Sequence, residues 1–387
     1  MWAGADRYVE SGTIERKRGR YMHLSICIIA KNEEQHIGRC LECLKPYDVE
    51  VIVVDTGSAD RTREIASRYT DKIYDFAWCD DFSAAKNFAV SKASYPYVMV
   101  LDSDEFVEQM DVAKLERLIT KHPGEVGRIQ RRNTFTRKGE QQENREWINR
   151  IFAKDRFHYE GRIHEQVSSL NTAEYKTYQA PIVIEHTGYD LSEEERKQKA
   201  ERNIRLLKEE LVHLGGNADG GEEKEQPENI QQIPYLLYQL GKSYYMAEDY
   251  GQACLWFARG LSYDLNPKLE YVIDMVETYG YALINSGQPE EALFFENIYD
   301  EFGDSADFQF LMGLIYMNNA RFEDAIQEFL KATEHSECRS RGVNSYRAYY
   351  NIGVIYECLG VMDQAKKAYE KCKNYAPAQE RLHMIIK

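Results

Sequence analysis

The sequence predicts an α/β domain on a mostly parallel sheet, followed by an all-α domain of helical repeats. From His23 to about Met110, short apolar runs alternate with helical patterns, the signature of parallel strands joined by right-handed helical crossovers. Beyond Glu195 the pattern is helical throughout. There Gly241, Gly280, Gly313 and Gly353 recur 39, 33 and 40 residues apart, near the period of about 34 expected of stacked helix pairs. A third observation marks where chemistry would sit: the apolar run Val98-Met99-Val100-Leu101 breaks into Asp102-Ser103-Asp104-Glu105.

The elements follow in order. Residues 24–30 (LSICIIA) read as a strand, 34–44 as a helix and 49–55 (VEVIVVD) as the next strand. A helix over 58–68, a short strand over 71–76, a helix over 82–93 and a strand over 97–101 complete the alternation. Four apolar residues in succession suit a strand buried on both faces, with ligands expected at its C-terminal end. In the repeats, small residues let paired helices approach, and aromatics such as Tyr244, Phe257, Phe329 and Tyr369 fill the space between them. These patterns divide the chain into a flexible N-terminal segment (1–21), an α/β domain (22–194), a linking helix with a flexible acidic loop (195–232) and the repeats (233–387). The loop is rich in Gly and acid over residues 215–228, with no apolar period.

Composition excludes several classes. With 387 residues and 43% hydrophobic content the chain is globular, and its net charge of -15 leaves no broad cationic surface for nucleic acid. No eighteen-residue apolar run appears, so no membrane span is expected. The basic N-terminus lacks the apolar core of a signal peptide. Eight cysteines follow no disulfide framework and mostly sit inside apolar patterns, which suggests a reducing, cytoplasmic compartment. Cys40 and Cys43 have no second Cys pair at zinc spacing and lie on an amphipathic helical pattern, so they read as core thiols.

Polar residues gather at the expected strand ends. The first strand exits into Lys31, Asn32 and Glu33. The second exits into Asp55, Gly57, Ser58 and Asp60, and residues 82–89 bring Lys86 and Asn87 to the same edge. Asp55 can accept from a base N–H or a ribose hydroxyl, and Lys86 can balance diphosphate charge. Taken singly, each is as apt to cap a turn as to touch a ligand. Asp102 and Asp104, two residues apart, can converge on one hard cation such as Mg2+ or Mn2+.

The segments LSICIIAKNEE, VIVVDTGSADRT, DFSAAKNFAV and VMVLDSDE resemble, in order, the donor half of family 2 glycosyltransferases with a GT-A fold. The resemblance implies a UDP-sugar donor held by Ala30, Asn32, Glu33, Asp55, Ser58, Lys86, Asn87, Asp102 and Ser103. Asp55 would meet uracil, and Asp102 and Asp104 would form the metal-binding DxD. Lys86 stands where the family often has Arg, which keeps the charge but not the bidentate fork. The later segments FHYEGRIHEQV and IEHTGY, followed by tetratricopeptide repeats, are similar to bacterial peptide glycosyltransferases of sublancin-type bacteriocins and to lipopolysaccharide-core glycosyltransferases.

Inverting transfer needs a base for the acceptor proton, and metal-bound carboxylates serve poorly. Glu165 is the expected base, with His164 beside it, and His186 is a candidate third metal ligand. A structural His-Glu pair and a turn-capping His186 are the alternatives. Trp147, Phe152, Phe157 and Tyr159 suit a core better than a sugar groove. The function expected is metal-dependent transfer of a hexose, with glucose the expected sugar, to a peptide Cys or Ser in the bacterial cytoplasm. Lipopolysaccharide-core transfer is the alternative, and a non-catalytic repeat scaffold the alternative of another class. A homodimer through the repeats is the expectation from the family.

Overall fold

The computed structural model describes residues 23–137, 140–171, 174–187, 192–218 and 232–385. The expected N-terminal segment and most of the 215–228 loop lie outside these residues. The α/β half runs β1 (Leu24–Ala30), α1 (Ile37–Glu42), β2 (Glu50–Asp55), α2 (Thr62–Ala66), β3 (Ile73–Asp75), α3 (Phe82–Ser91), β4 (Tyr97–Asp102), β5 (Glu105–Met110) and α4 (Val112–Lys121). It continues with β6 (Val126–Arg137), β7 (Glu140–Ala153), β8 (Phe157–Glu160), β9 (Gln166–Ser169) and β10 (Thr177–His186). The main sheet has the order β3-β2-β1-β4-β7-β6-β10-β5, and β8 and β9 form a separate hairpin. Strands β3, β2, β1 and β4 are mutually parallel, whereas β7 runs antiparallel to both β4 and β6.

The parallel part forms because its strands are apolar on both faces. Ile26 and Ile28 of β1 pack with Ile37, Leu41 and Leu115 on one side, and Cys27 and Ile29 pack with Ala85, Ala89 and Phe152 on the other. Each such side chain contributes roughly 1.5–3 kcal/mol relative to exposure. Phe152, Phe157 and Tyr159 belong to the second of these cores, as their apolar setting predicts, and Trp147 is half-buried. Only Ser103 and Asp104 join β4 to β5, although three strands separate the two in the sheet. The sheet therefore curls back on itself, and the acidic turn spans the mouth of the curl.

The helical half comprises α5 (Glu193–His213), α6 (Ile233–Met246), α7 (Tyr250–Leu261), α8 (Glu270–Asn285), a 3-10 segment (Glu291–Ile298), α9 (Tyr299–Phe302), α10 (Ala306–Asn318), α11 (Phe322–Ala332), α12 (Tyr346–Cys358), α13 (Met362–Lys371) and α14 (Ala376–Ile385). Helix α5 opens with a capping box between Ser192 and Glu195. The recurring glycines act by close approach: a Cβ at Gly241 would stand 2.5 Å from the Phe257 ring, and one at Gly313 would stand 2.6 Å from the Phe329 ring. Gly280 departs from this, meeting Leu311 of the following repeat at 2.7 Å. Its own repeat lacks a regular second helix, since a 3-10 segment stands in that place.

Among the described residues the halves pack together around Ile163 and along the outer part of β7. Ile163, between β8 and β9, shares a core with Leu206, Leu207, Leu237 and Trp256 of α5, α6 and α7. The outer part of β7 meets residues 339–341, with an isolated antiparallel bridge between Asn144 and Ser340. No helix among the described residues is long and apolar enough to cross a membrane.

Candidate active site

The exits of β1 and β2 are tied to each other. Asn32 adopts a left-handed backbone (φ 56°), which its short polar side chain tolerates. Its N–H donates to Ser58 Oγ at 3.0 Å, and its Oδ1 accepts from the Ala59 N–H at 2.8 Å. The Ala30 carbonyl accepts from the Thr56 N–H at 2.9 Å. Asp55 Oδ1 accepts from the Gly57 N–H at 3.1 Å and the Ser58 N–H at 2.8 Å, closing an Asx turn. Glu33 donates its N–H to Thr62 and holds His36 Nδ1 at 2.8 Å. Burial raises the Glu33 carboxyl, against the lowering pull of His36.

At the exit of β4 the carboxylates meet cations. Asp102 Oδ1 lies 2.8 Å from Lys86 Nζ, and Oδ2 lies 2.8 Å from Arg150 Nη2. Burial opposes ionisation of Asp102, but Lys86 and Arg150 outweigh it and hold the carboxyl well below its ordinary range. Arg150 also reaches Glu105 Oε1 at 2.8 Å, which Arg131 contacts at 3.1 Å, and Arg131 continues to Glu146 at 2.9 Å. Glu105 is fully buried, and its other oxygen accepts from the Asp102 N–H at 3.1 Å. The acidic turn is thus held by a chain of alternating charges.

Ser103 is buried inside the turn. Asp104 points away from this chain, with Oδ2 3.3 Å from His186 Nε2, while His186 Nδ1 pairs with Asn133 Oδ1 at 2.8 Å. Burial opposes the charge on Asp104, and the hydrogen bond and charge of His186 overcome it, lowering its pKa. No three metal-ligating side chains are gathered into a cage among the described residues. That still suits Mg2+ or Mn2+, which take one or two protein carboxylates and complete their shells with water and phosphate oxygens. Asp104 and His186 fit such an ion. Asp102 has both oxygens turned to cations.

The third wall is the loop between β8 and β9. Asn87 donates to the Tyr159 carbonyl at 2.9 Å and accepts from the Tyr159 N–H at 2.8 Å, so α3 grips β8 through this amide. The Phe82 N–H donates to the Arg162 carbonyl at 2.8 Å. Here Gly161 and His164 both have positive φ, 94° and 53°, and for His164 that is a strained backbone. The turn brings Glu165 Oε1 to 2.5 Å from Lys86 Nζ. Lys86 is 2% exposed and stands between Asp102 and Glu165, which hold its ammonium charged despite burial. His164 Nε2 is shielded from solvent without a hydrogen-bond partner. Burial, reinforced by Lys242 and Lys199, pushes its imidazole down to about 3.

The structure therefore gathers Lys86, Asp102, Ser103, Asp104, Glu165 and His186 at one mouth. Ala30, Asn32, Glu33, Asp55 and Ser58 form the neighbouring strand-exit cluster, and Asn87 is engaged with β8. The residues that sequence reasoning missed are Arg150, Arg131 and Asn133. The available signal was an arginine inside the apolar strand Ile148-Asn149-Arg150-Ile151-Phe152, where a charge is costly unless paired.

Residues 25–172 match the glycosyl transferase family 2 family, and residues 306–335 and 346–379 match the tetratricopeptide repeat. The SPbeta prophage-derived glycosyltransferase SunS of Bacillus subtilis is 28% identical over 189 residues, covering 48% of this chain and 44% of the relative. The lipopolysaccharide core biosynthesis glycosyltransferase LpsC of Rhizobium meliloti is 30% identical over 153 residues, covering 37% and 56%. A TPR repeat-containing protein of Synechococcus elongatus is 44% identical over 82 residues, covering 21% and 20%. The chain thus spans 20% to 56% of the length of these relatives.

Proposed function

We propose, from the match of residues 25–172 to the glycosyl transferase family 2 family and of residues 306–335 and 346–379 to the tetratricopeptide repeat, that the chain transfers a hexose from a UDP-sugar to a peptide or protein side chain. The observation that carries the reading is Lys86, which joins the acidic turn at Asp102 to Glu165 across the mouth of the site. In this reading Asp55 and its turn receive the uracil end of the donor. Asp104 and His186 are the pair that would hold Mg2+ or Mn2+, and a bound ion supplies charge stabilisation for the departing diphosphate.

Glu165 takes the proton of the acceptor hydroxyl or thiol as that group attacks the anomeric carbon from the face opposite UDP. Lys86 keeps its charge and so fixes the Glu165 carboxylate in place. His164, buried and neutral at pH 7, shapes the turn beside the base and does not carry charge. The repeats provide a surface for the acceptor or for a second copy of the chain. The resemblance of FHYEGRIHEQV and IEHTGY to peptide glycosyltransferases of sublancin-type bacteriocins favours a peptide acceptor; the LpsC relative makes a lipopolysaccharide core the competing outcome of the same test.

The test supplies UDP-glucose and Mn2+ or Mg2+ with peptide or glycan acceptors, and follows UDP release and intact acceptor mass. A gain of one hexose residue on a peptide is expected. Asp104→Ala should reduce UDP release by about 100-fold or more; undiminished turnover in that variant would overturn the assignment of Asp104. Gain on the glycan alone would replace the acceptor class.

A further inference from the structure

The loop that bears Glu165 is gripped from the helical half by a polar contact as well as by the core around Ile163. Gln166, the first residue of β9, turns its side-chain amide back along the chain: Nε2 donates to the His164 carbonyl at 3.0 Å and to the Tyr235 hydroxyl of α6 at 2.7 Å. The carbonyl concerned belongs to the peptide unit that joins His164 to Glu165. A peptide unit is planar, so holding its oxygen restrains the rotation that sets where the Glu165 backbone and side chain point. That restraint falls at a backbone position that is unfavourable by itself, since His164 has φ 53°. Gln166 is exposed, and its amide is therefore held by these hydrogen bonds more than by packing.

Tyr235 is the fixed end of this contact. Its ring meets the Tyr271 ring edge-on at 5.4 Å and the Tyr238 ring at 5.9 Å, so α6 and α8 hold it between them. Gln239, one turn further along α6, also bonds the hydroxyl. Burial pushes the phenol up to about 12, which keeps it protonated at neutral pH. From the other half of the molecule, Lys86 of α3 reaches the Glu165 carboxylate at 2.5 Å. Glu165 is thus held at its carboxylate by the sheet half and at its backbone by the repeat half.

We propose that Tyr235 is a positioning residue for the transfer reaction: through Gln166 its hydroxyl sets the His164–Glu165 peptide and thereby aims the Glu165 carboxylate at the acceptor. Tyr235 does not touch the reacting atoms; it acts on a segment 69 residues earlier in the chain, through one amide. The role rests on the reading of Glu165 as the base, and goes beyond it by assigning part of the base's geometry to α6. A small displacement of the base weakens proton abstraction while leaving the donor site as it was. The effect therefore belongs in kcat and not in the KM for UDP-glucose.

The experiment uses the full chain and follows UDP release from UDP-glucose with Mn2+, with water as acceptor where no peptide or glycan serves, beside amide hydrogen exchange. Tyr235→Phe keeps the ring and removes the hydroxyl. It should lower kcat about tenfold, leave the KM for UDP-glucose within about twofold, and speed exchange of the 164–167 amides about tenfold. Gln166→Leu should lower kcat at least as much, and Tyr235→Phe added to it should cost nothing further, because both act through one amide. Should Tyr235→Phe fail to fold by circular dichroism, Gln166→Leu, at an exposed position, takes its place with the same expectations for kcat, KM and exchange. Additive losses overturn the proposal, and so does a Tyr235→Phe kcat within about twofold of the unaltered chain with unchanged exchange. Glu165→Gln separates the two readings. Undiminished UDP release in that variant removes the base and the proposal with it, whereas a collapse there beside an unaffected Tyr235→Phe removes the positioning role alone.

Discussion

Asp55 and Asp102 both end central strands at the same edge of the sheet, yet they are neutralised by different means. Asp55 is satisfied by two backbone amides of its own turn. Asp102 is satisfied by two side-chain cations, one from α3 and one from β7. Backbone amides are fixed by the chain they belong to, so the Asp55 turn is complete before any distant element arrives. The Asp102 turn is complete only when α3, β7 and the 161–165 loop have all docked. The first arrangement is local and preorganised; the second lets three segments share one electrostatic centre.

The largest expected effect lies on the second side. Arg150→Ala leaves Asp102 and fully buried Glu105 short of a cation, and should lower stability by about 3–5 kcal/mol, measured by urea unfolding. A loss below about 1 kcal/mol would mean that Arg131 and Lys86 suffice. Next is a matched pair of isosteric changes. Asp102→Asn removes the charge that faces Lys86 and Arg150 and should cost about 2–3 kcal/mol. Asp55→Asn keeps an oxygen for the Gly57 and Ser58 amides and should cost about 1 kcal/mol or less. Equal losses from the two would erase the contrast between local and shared neutralisation.

The smallest effect concerns His164. Its imidazole is depressed to about 3, against about 6.5 in an unfolded chain. The unfolded state takes up a proton first as pH falls, so this contribution to stability is present above about pH 6.5 and is lost progressively toward pH 3. His164→Gln should therefore flatten the decline in urea midpoint between pH 7 and pH 5. An unchanged slope would show that the ring protonates in place.

The same contrast explains what was legible in the sequence. Strands β1, β2 and β4 announce themselves as apolar runs because both faces are buried, and the turns at Asp55 and Asp102 follow directly from their ends. The repeat glycines are legible for a similar reason, three of the four being needed where a helix meets a ring. Strands β6 and β7 are not announced, since their outer parts are held by Arg131, Glu146 and Asn133 and not by apolar burial. Arg150 and Lys86 are partners of Asp102 from 48 positions later and 16 earlier, and ion pairs across strands leave no local pattern. Gly161 marks the loop, but the left-handed position at His164 is not a glycine, and its strain appears only in the folded backbone.

The core around Ile163 has a consequence for how the protein can be divided. The residue preceding His164 and Glu165 is 5% exposed, and its walls are Leu206, Leu207, Leu237 and Trp256, all from helices after the sheet. Cutting the chain ahead of α6 would strip two of those walls and leave the loop without its apolar anchor. Half of the molecule is therefore a template for the other: the segment bearing Glu165 rests on side chains more than 40 residues downstream, and the repeats serve as a mould for the mouth as well as a surface beside it.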